Sequence, residues 1–324
     1  MAKSKIAFVC TDCGSEHGQW QGQCVACKAW NTLSQINLGA STSPATKADF
    51  RKPGGYSGDV SDVQNLSDID LDALPRFSTT IDELDRVLGG GLVPGSVVLI
   101  GGNPGAGKST LLLQVMCLLA HSGKPALYVT GEESLQQVGM RAKRLQLPED
   151  NLKMLAETNV ETICKAAQTH KPALLVVDSI QVMHSADVAS APGSVSQVRE
   201  SAAYLIQYAK QTNTVLFLVG HVTKEGNLAG PKVLEHMIDC FIMLEGGSES
   251  KYRVLRGQKN RFGAVNELGV FGMTELGLKE VKNPSAIFLA RTEEESAGSI
   301  VMVLWEGTRP LLVEIQALVD ATQL

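Results

Sequence analysis

The sequence predicts an α/β protein built on a mainly parallel central sheet, with a small cysteine-rich module ahead of it. Three observations carry that expectation. From about Pro75 onward, short aliphatic runs alternate with stretches of helical periodicity, the texture of repeated strand–helix–strand units with right-handed crossovers. Aromatic residues are only 5% of the 324 residues while hydrophobic residues are 44%, so the core is aliphatic, as suits strands buried on both faces. Four of the seven cysteines fall within the first 27 residues as two close pairs, a distribution that points to a metal site rather than disulfides.

Composition sets outer bounds on function. With 19% charged residues, 31 Gly and 12 Pro, collagen, coiled coil and wholesale disorder are excluded. The 29 Lys and Arg against 34 Asp and Glu leave a net charge of −5, so any polyanion must meet a local basic patch. The opening MAKSKIAFVC lacks the apolar stretch of a signal peptide, and no apolar run approaches the roughly 18 residues that span a bilayer. The expectation is a cytoplasmic protein with no membrane partner.

The first element is the module of residues 1–33. Cys10, Cys13, Cys24 and Cys27 form C-x2-C-x10-C-x2-C, and two short pairs let four thiolates close a tetrahedron around Zn²⁺ with no position open for catalysis. So short a unit buries little surface, and zinc supplies most of its folding free energy, on the order of 10 kcal/mol. A redox dithiol would need one pair, not two. Residues 34–74 read as a linker: Gly39 to Gly58 is rich in Gly, Ser, Thr, Pro and Ala, and Ser57 to Leu74 carries five Asp and no basic residue.

A core of alternating strands and helices is expected over residues 75–285. Its strand candidates are Ser96 to Ile100, Ala126 to Thr130, Ala173 to Val177, Thr214 to Val219 and Cys240 to Leu244. Lys108 to His121 reads as a helix, as does Ser194 to Gln211, where Val195, Val198, Ala202, Leu205, Ile206 and Ala209 share one face. Between the first strand and the first of these helices lies GNPGAGKS, a phosphate-binding loop in its required setting. Gly102, Asn103, Pro104, Gly105, Ala106 and Gly107 turn backbone N–H groups toward phosphates. Lys108 reaches the β- and γ-phosphates, Ser109 holds Mg²⁺, and Thr110 continues into the helix, whose N-terminus favours anions. The expected cofactors are therefore ATP, Mg²⁺ and Zn²⁺.

Further candidates follow from strand ends, where ligands sit in open α/β sheets. Asp178 closes the run LLVV and is placed to partner Mg²⁺, unless it merely caps the next turn. Glu132 and Glu133 follow the strand ALYVT, and as adjacent residues they point differently. Only one can orient or deprotonate water; Glu132 is favoured, with Glu133 the alternative, and both would also suit a helix N-terminus. His221, just past TVLFLV, is placed to sense γ-phosphate or to serve only as a turn residue. Cys117, Cys164 and Cys240 fall on apolar faces and read as inert core.

Lys251 to Gly263 carries five basic residues and no acid. The alternation of KYRVLR suggests an exposed strand, followed by a loop in which Lys259 and Arg261 are free either to bind DNA phosphates or to act on a neighbouring subunit's ATP. A solvated edge strand is the plainer reading. The basic loop, His184 to Ser194 and Thr223 to Pro231 are expected to share the sheet edge with ATP, the last two as mobile loops that contact DNA.

Together these features resemble the bacterial RadA/Sms family of recombination ATPases. The resemblance runs through the four-Cys module with Trp20 and Trp30, IDELDRVLGGGLVPGS from Ile81 to Ser96, GGNPGAGKST, LYVTGEES, LLVVDSIQ, HVTKEG and KNRFG. It implies a RecA-like P-loop ATPase core, a homo-hexamer that binds single-stranded or branched DNA, helicase-like movement that promotes branch migration, and a recombinase partner. It also implies that Lys108 is the phosphate-loop lysine and that Lys259 and Arg261 couple ATP turnover to movement. Two departures stand out: Thr80 replaces the family's usual Gly, and residues 286–324 read as the start of a Lon-like domain whose apolar beginning would be left unpaired.

Two functional classes compete at this stage. One is a DNA-dependent ATPase motor; the other is a nucleotide-regulated scaffold or signalling ATPase on the same core, with the zinc module as a recruitment tab. The basic loop favours the motor.

Overall fold

The structure is a computed structural model that describes residues 6–10, 15–30, 32–37, 65, 75–221, 233–246, 250–289 and 298–317. Nearly all of the sequence-predicted linker of residues 34–74 and the loop Thr223 to Pro231 lie outside the described residues.

The cysteine module is a small antiparallel sheet of β1 (Ile6–Cys10), β2 (Glu16–His17) and β3 (Leu33–Asn37), in the order β2-β1-β3. Among the described residues its apolar interior is Cys10, Cys24 and Leu33 with Phe8 against them, and in so short a segment metal binding supplies much of the folding free energy.

The main body begins with α1 (Asp82–Leu88), β4 (Val97–Gly102), α2 (Lys108–His121) and β5 (Ala126–Thr130). It continues through α3 (Leu135–Arg144), β6 (Leu152–Ala156), α4 (Val160–His170) and β7 (Leu174–Asp178). Next come α5 (Val195–Thr212), β8 (Val215–Val219), α6 (Val233–Met237) and β9 (Cys240–Glu245). Three antiparallel strands then follow: β10 (Tyr252–Asn260), β11 (Leu268–Thr274) and β12 (Gly277–Glu280). The nine strands from β4 to β12 form one sheet, in the order β12-β11-β10-β9-β4-β8-β7-β5-β6.

The six strands from β9 to β6 run parallel. Period-two alternation splits their side chains between two cores. Val98, Ile100, Tyr128, Val176 and Phe217 pack with α1, α2 and α3 on one face. Val97, Leu99, Leu127, Val129, Leu175 and Leu218 pack with α4 and α5 on the other. Burial on both faces explains why these strands read as unbroken aliphatic runs. Capping fixes the helix starts: Asn159 accepts from Thr162 N at 2.8 Å, Ser194 accepts from Gln197 N at 3.3 Å, and Ser134 forms a capping box with Gln137.

The sequence reading of KYRVLR as an exposed or edge strand is corrected here. β10 lies inside the sheet between β9 and β11, with Arg253 and Leu255 buried on it. The alternation is present because one face of β10, with Arg253, Leu255 and Gly257, is buried, while the other carries the exposed Tyr252 and Gln258.

The last described elements are α7 (Ser285–Phe288) and a hairpin of β13 (Ser299–Glu306) and β14 (Arg309–Gln316). The hairpin turn is fastened to the core: Arg309 pairs with the buried Glu83 at 2.6 Å, Arg256 with Glu306 at 3.1 Å, and Thr308 N donates to Glu267 at 3.1 Å. Beyond that turn Ile300, Val301, Val303 and Trp305 are exposed.

Candidate nucleotide and zinc sites

The phosphate loop runs from the end of β4 into α2, and its backbone explains its composition. Gly102 adopts φ +152° with Leu244 O only 2.5 Å from where a Cβ would stand, and Gly107 adopts φ +108°. Both conformations disfavour L side chains. The Lys108 ammonium folds over the loop, donating to Gly102 O at 2.7 Å and Asn103 O at 3.0 Å. Burial lowers the lysine's pKa, while Asp178 and Glu132 nearby raise it and oppose that shift.

The remaining groups converge from the carboxyl ends of β5, β7 and β8 on one cleft of about 440 Å³. It is lined by Lys108, Ser109 and Thr110 from α2, by Thr130, Glu132 and Asp178 from strand ends, and by His221. Asp178 is 7% exposed and accepts from Tyr128 Oη at 2.6 Å, so one lone-pair face of the carboxylate is held while the rest meets the cleft. Burial, with Asp178 beside it, pushes the Tyr128 phenol pKa well up and keeps it a donor.

The two adjacent glutamates do point apart. Glu132 accepts from the Ser179 hydroxyl and lies 3.3 Å from His221 Nε2. The His221 hydrogen bond lowers its pKa, aided by Ser179 and Lys108 and opposed by burial, so the group stays a carboxylate well into acid. Glu133 instead turns to Arg141, 2.5 Å away on α3, and its backbone is fixed by Thr130. Sequence reasoning missed Tyr128, Thr130, Ser179, Arg141 and Arg144 as neighbours of the cleft. The spacing of Arg141 and Arg144, three apart on a helix that starts just after the glutamates, was the available signal.

Lys259 and Arg261 do not join this cleft. β10 runs antiparallel to β9, so Asn260 lies opposite Cys240, which in turn is level with Val98 at the beginning of β4. The Lys259 ammonium donates to Glu235 O at 2.5 Å and Ile238 O at 2.8 Å, at the end of α6. Arg261 pairs with the buried Asp239 at 3.3 Å, and Asp239 also accepts from Val97 N and Lys210. The expectation that the basic loop shares the ATP edge is thus overturned: a strand leaving that edge in the reverse direction delivers its last residues to the opposite one. His184 to Ser194 does lie on the ATP side, next to the start of α4. It is not a free loop, because the buried Gln197 side chain bonds Ser185 N, Ser185 O, Val188 O and Ser190 O.

In the cysteine module, Cys10, Cys24 and Cys27 bring their sulfurs within 4.8 Å of one another, and the Cys10 and Cys27 Sγ atoms are 3.6 Å apart. Tetrahedral zinc thiolates with bonds of about 2.3 Å place sulfurs about 3.8 Å apart, so the set fits Zn²⁺. Cys13, the fourth ligand expected from the sequence, lies outside the described residues. Trp20 and Trp30 stand exposed on the same module. The other cysteines behave as core: burial pushes the Cys117 thiol up to about 11 and the Cys240 thiol up to about 12, and raises Cys164 further.

Comparison with known proteins agrees with both sites. A family described as an AAA domain matches residues 63–227, and one described as a rubredoxin metal binding domain matches residues 8–35. Among curated relatives, DNA repair protein RadA of Haemophilus influenzae is 65% identical over 326 residues, covering 100% of this chain and 70% of that protein. The protein of the same name from Escherichia coli is 64% identical, covering 99% of this chain and 69% of its own length. The one from Bacillus subtilis is 48% identical, again over 99% and 69%. The chain is an ATPase with a RecA-like α/β core that uses ATP and Mg²⁺, and its ribbon binds Zn²⁺. Among the described residues, no helix is long and apolar enough to cross a membrane.

Proposed function

The chain belongs to the family of DNA repair protein RadA, and from that premise we propose that it is the ATP-driven motor of a homohexameric ring that binds single-stranded or branched DNA and promotes branch migration in recombinational repair. The observation that carries this reading is the separation of the nucleotide cleft from a pair of cations on one sheet. Lys108, Ser109, Asp178 and Glu132 meet at the carboxyl edge of the parallel strands. Lys259 and Arg261 sit at the amino edge, with Asn260 level with Val98 and four residues from Gly102, roughly 13 Å of strand. A cation so far from its own phosphate loop stabilises phosphoryl transfer only at a neighbouring copy's site.

In this reading Glu132 orients the attacking water and takes its proton, Lys108 neutralises the β- and γ-phosphates, and Ser109 with Asp178 holds Mg²⁺. His221, through Glu132, senses whether the γ-phosphate is present. Arg261, whose side chain is 55% exposed, is the cation offered to the neighbour. Lys259 is a positioning residue, since its ammonium is already committed to carbonyls of its own chain. The zinc ribbon of residues 1–33 recruits a recombinase partner, residues 34–74 link it to the ATPase unit of residues 75–285, and the protein acts in the cytoplasm.

The test is ATP hydrolysis measured with and without single-stranded DNA across a range of protein concentrations. Turnover per subunit rises with DNA and with concentration as rings assemble. A rate indifferent to both would refute the motor and fit a nucleotide-regulated scaffold or signalling ATPase.

A further inference from the structure

We infer that Arg253 is a second cation of the phosphate loop, holding the Ala106 carbonyl outward so that the loop's N–H groups face the nucleotide and placing a buried positive charge behind the bound phosphates. The inference deepens the ATPase reading of this site and rests on it.

Arg253 stands on β10 where that strand passes the end of β9, beside the loop, and it is 4% exposed. Its Nε donates to Ala106 O at 3.0 Å, and its Nη1 donates to Ser250 O at 2.5 Å and Tyr252 O at 2.9 Å. Every one of these acceptors is a neutral carbonyl. Among the described residues the ion pairs of β10 belong to Arg256, with Glu245 and Glu306, and no carboxylate pairs with Arg253. The space is kept for this side chain: a Cβ on Gly246 would lie 2.6 Å from Arg253 Cδ.

A buried guanidinium that has hydrogen bonds but no counter-charge is costly to maintain unless an anion comes close. A phosphate-binding turn needs the complementary thing. Its N–H groups point inward, so its carbonyls point away from the ligand and need donors of their own. Arg253 satisfies both demands. The polyphosphate on the far side of the loop is the anion whose binding offsets the buried charge, and the Nε–H bond fixes the peptide whose orientation makes the cradle. It acts through Ala106 and does not itself touch substrate, so it is a positioning residue.

The experiment compares Arg253→Met and Arg253→Lys in the full chain, with Mg-ATP as the probe in fluorescence titration and steady-state hydrolysis. Arg253→Met raises Kd and KM for Mg-ATP by about tenfold or more while kcat at saturation stays within about threefold. Arg253→Lys, which restores charge without the forked donor, falls between Met and the parent. A merely structural brace would act differently: a smaller folded fraction lowers kcat at unchanged KM. If the Met variant fails to fold, the Lys variant decides on the same KM-against-kcat split. Folded variants with KM within about twofold of the parent would overturn the inference. A parent chain that neither binds nor hydrolyses Mg-ATP would instead overturn the ATPase reading beneath it.

Discussion

Replacing Glu132 with Gln removes one charge and little else. The Gln Oε1 still accepts from the Ser179 hydroxyl, and the amide keeps the volume of the carboxylate. With Glu132 38% exposed and His221 32% exposed, the weakened contact between them is screened, and folding stability changes by less than about 1 kcal/mol. The chemical step responds far more. A positioned base contributes about 10²- to 10⁴-fold, equal to roughly 2.7–5.5 kcal/mol of barrier, so kcat falls by that factor while nucleotide affinity stays within about threefold. Lys108 also loses one of the two carboxylates that hold its pKa up, so the alkaline limb of residual activity moves to lower pH. Glu133→Gln is the internal control. It breaks the pair with Arg141, whose side chains are 20% and 32% exposed, at a cost of about 1 kcal/mol or less, and turnover stays within a few-fold. Phosphate release at saturating Mg-ATP and titration with a fluorescent nucleotide read both quantities. Glu132→Gln retaining above about a tenth of kcat, or Glu133→Gln losing more than Glu132→Gln, would refute the assignment.

Two other perturbations probe the same picture. His221→Ala removes the largest influence that lowers the Glu132 pKa; that pKa rises, more of the base is protonated at a given acidic pH, and the acid limb of kcat shifts upward, so superimposable pH profiles would contradict the coupling. Cys10→Ser takes one of three adjacent described thiolates from the zinc cluster, releasing zinc on metal analysis while basal ATP hydrolysis survives, because the main sheet carries its own two cores; loss of the ATPase unit's thermal transition would show that the ribbon supports the core.

What was legible in the sequence followed from local rules. The helix Lys108–His121 is found at its expected bounds because Gly107 turns left-handed just before it and a polar stretch follows. The aliphatic strands shift by only a residue or two, since double burial leaves no polar position to blur them. β6 escaped notice because this outer strand, LKMLA, is half-buried and carries a lysine. The antiparallel strands β11 and β12 escaped because Gly269, Gly272 and Gly277 and scattered charges hide the pattern, and although KYRVLR read as a strand, its direction and its place inside the sheet did not show. That gap had functional consequences. Without the direction of β10, the basic residues at its end could not be assigned to an edge, and Arg253 at its start looked like surface. Likewise the choice between Glu132 and Glu133 depends on where the backbone turns after Thr130, which a pair of adjacent identical residues cannot reveal.

The central claim, that one copy's amino-edge cation completes a neighbour's nucleotide site, is tested most directly by mixing two inactive variants. Lys108→Ala lacks a working phosphate loop but keeps Arg261, while Arg261→Ala keeps the loop and lacks the cation. In randomly mixed rings at equal ratio, about a quarter of interfaces join a good loop to a good cation, since each needs two independent one-in-two choices. DNA-stimulated hydrolysis should therefore rise above either variant alone and peak near the equal mixture. If both variants assemble and bind DNA yet no mixture exceeds them, Arg261 does not act across a subunit boundary, and the account of this protein as a ring motor is contradicted.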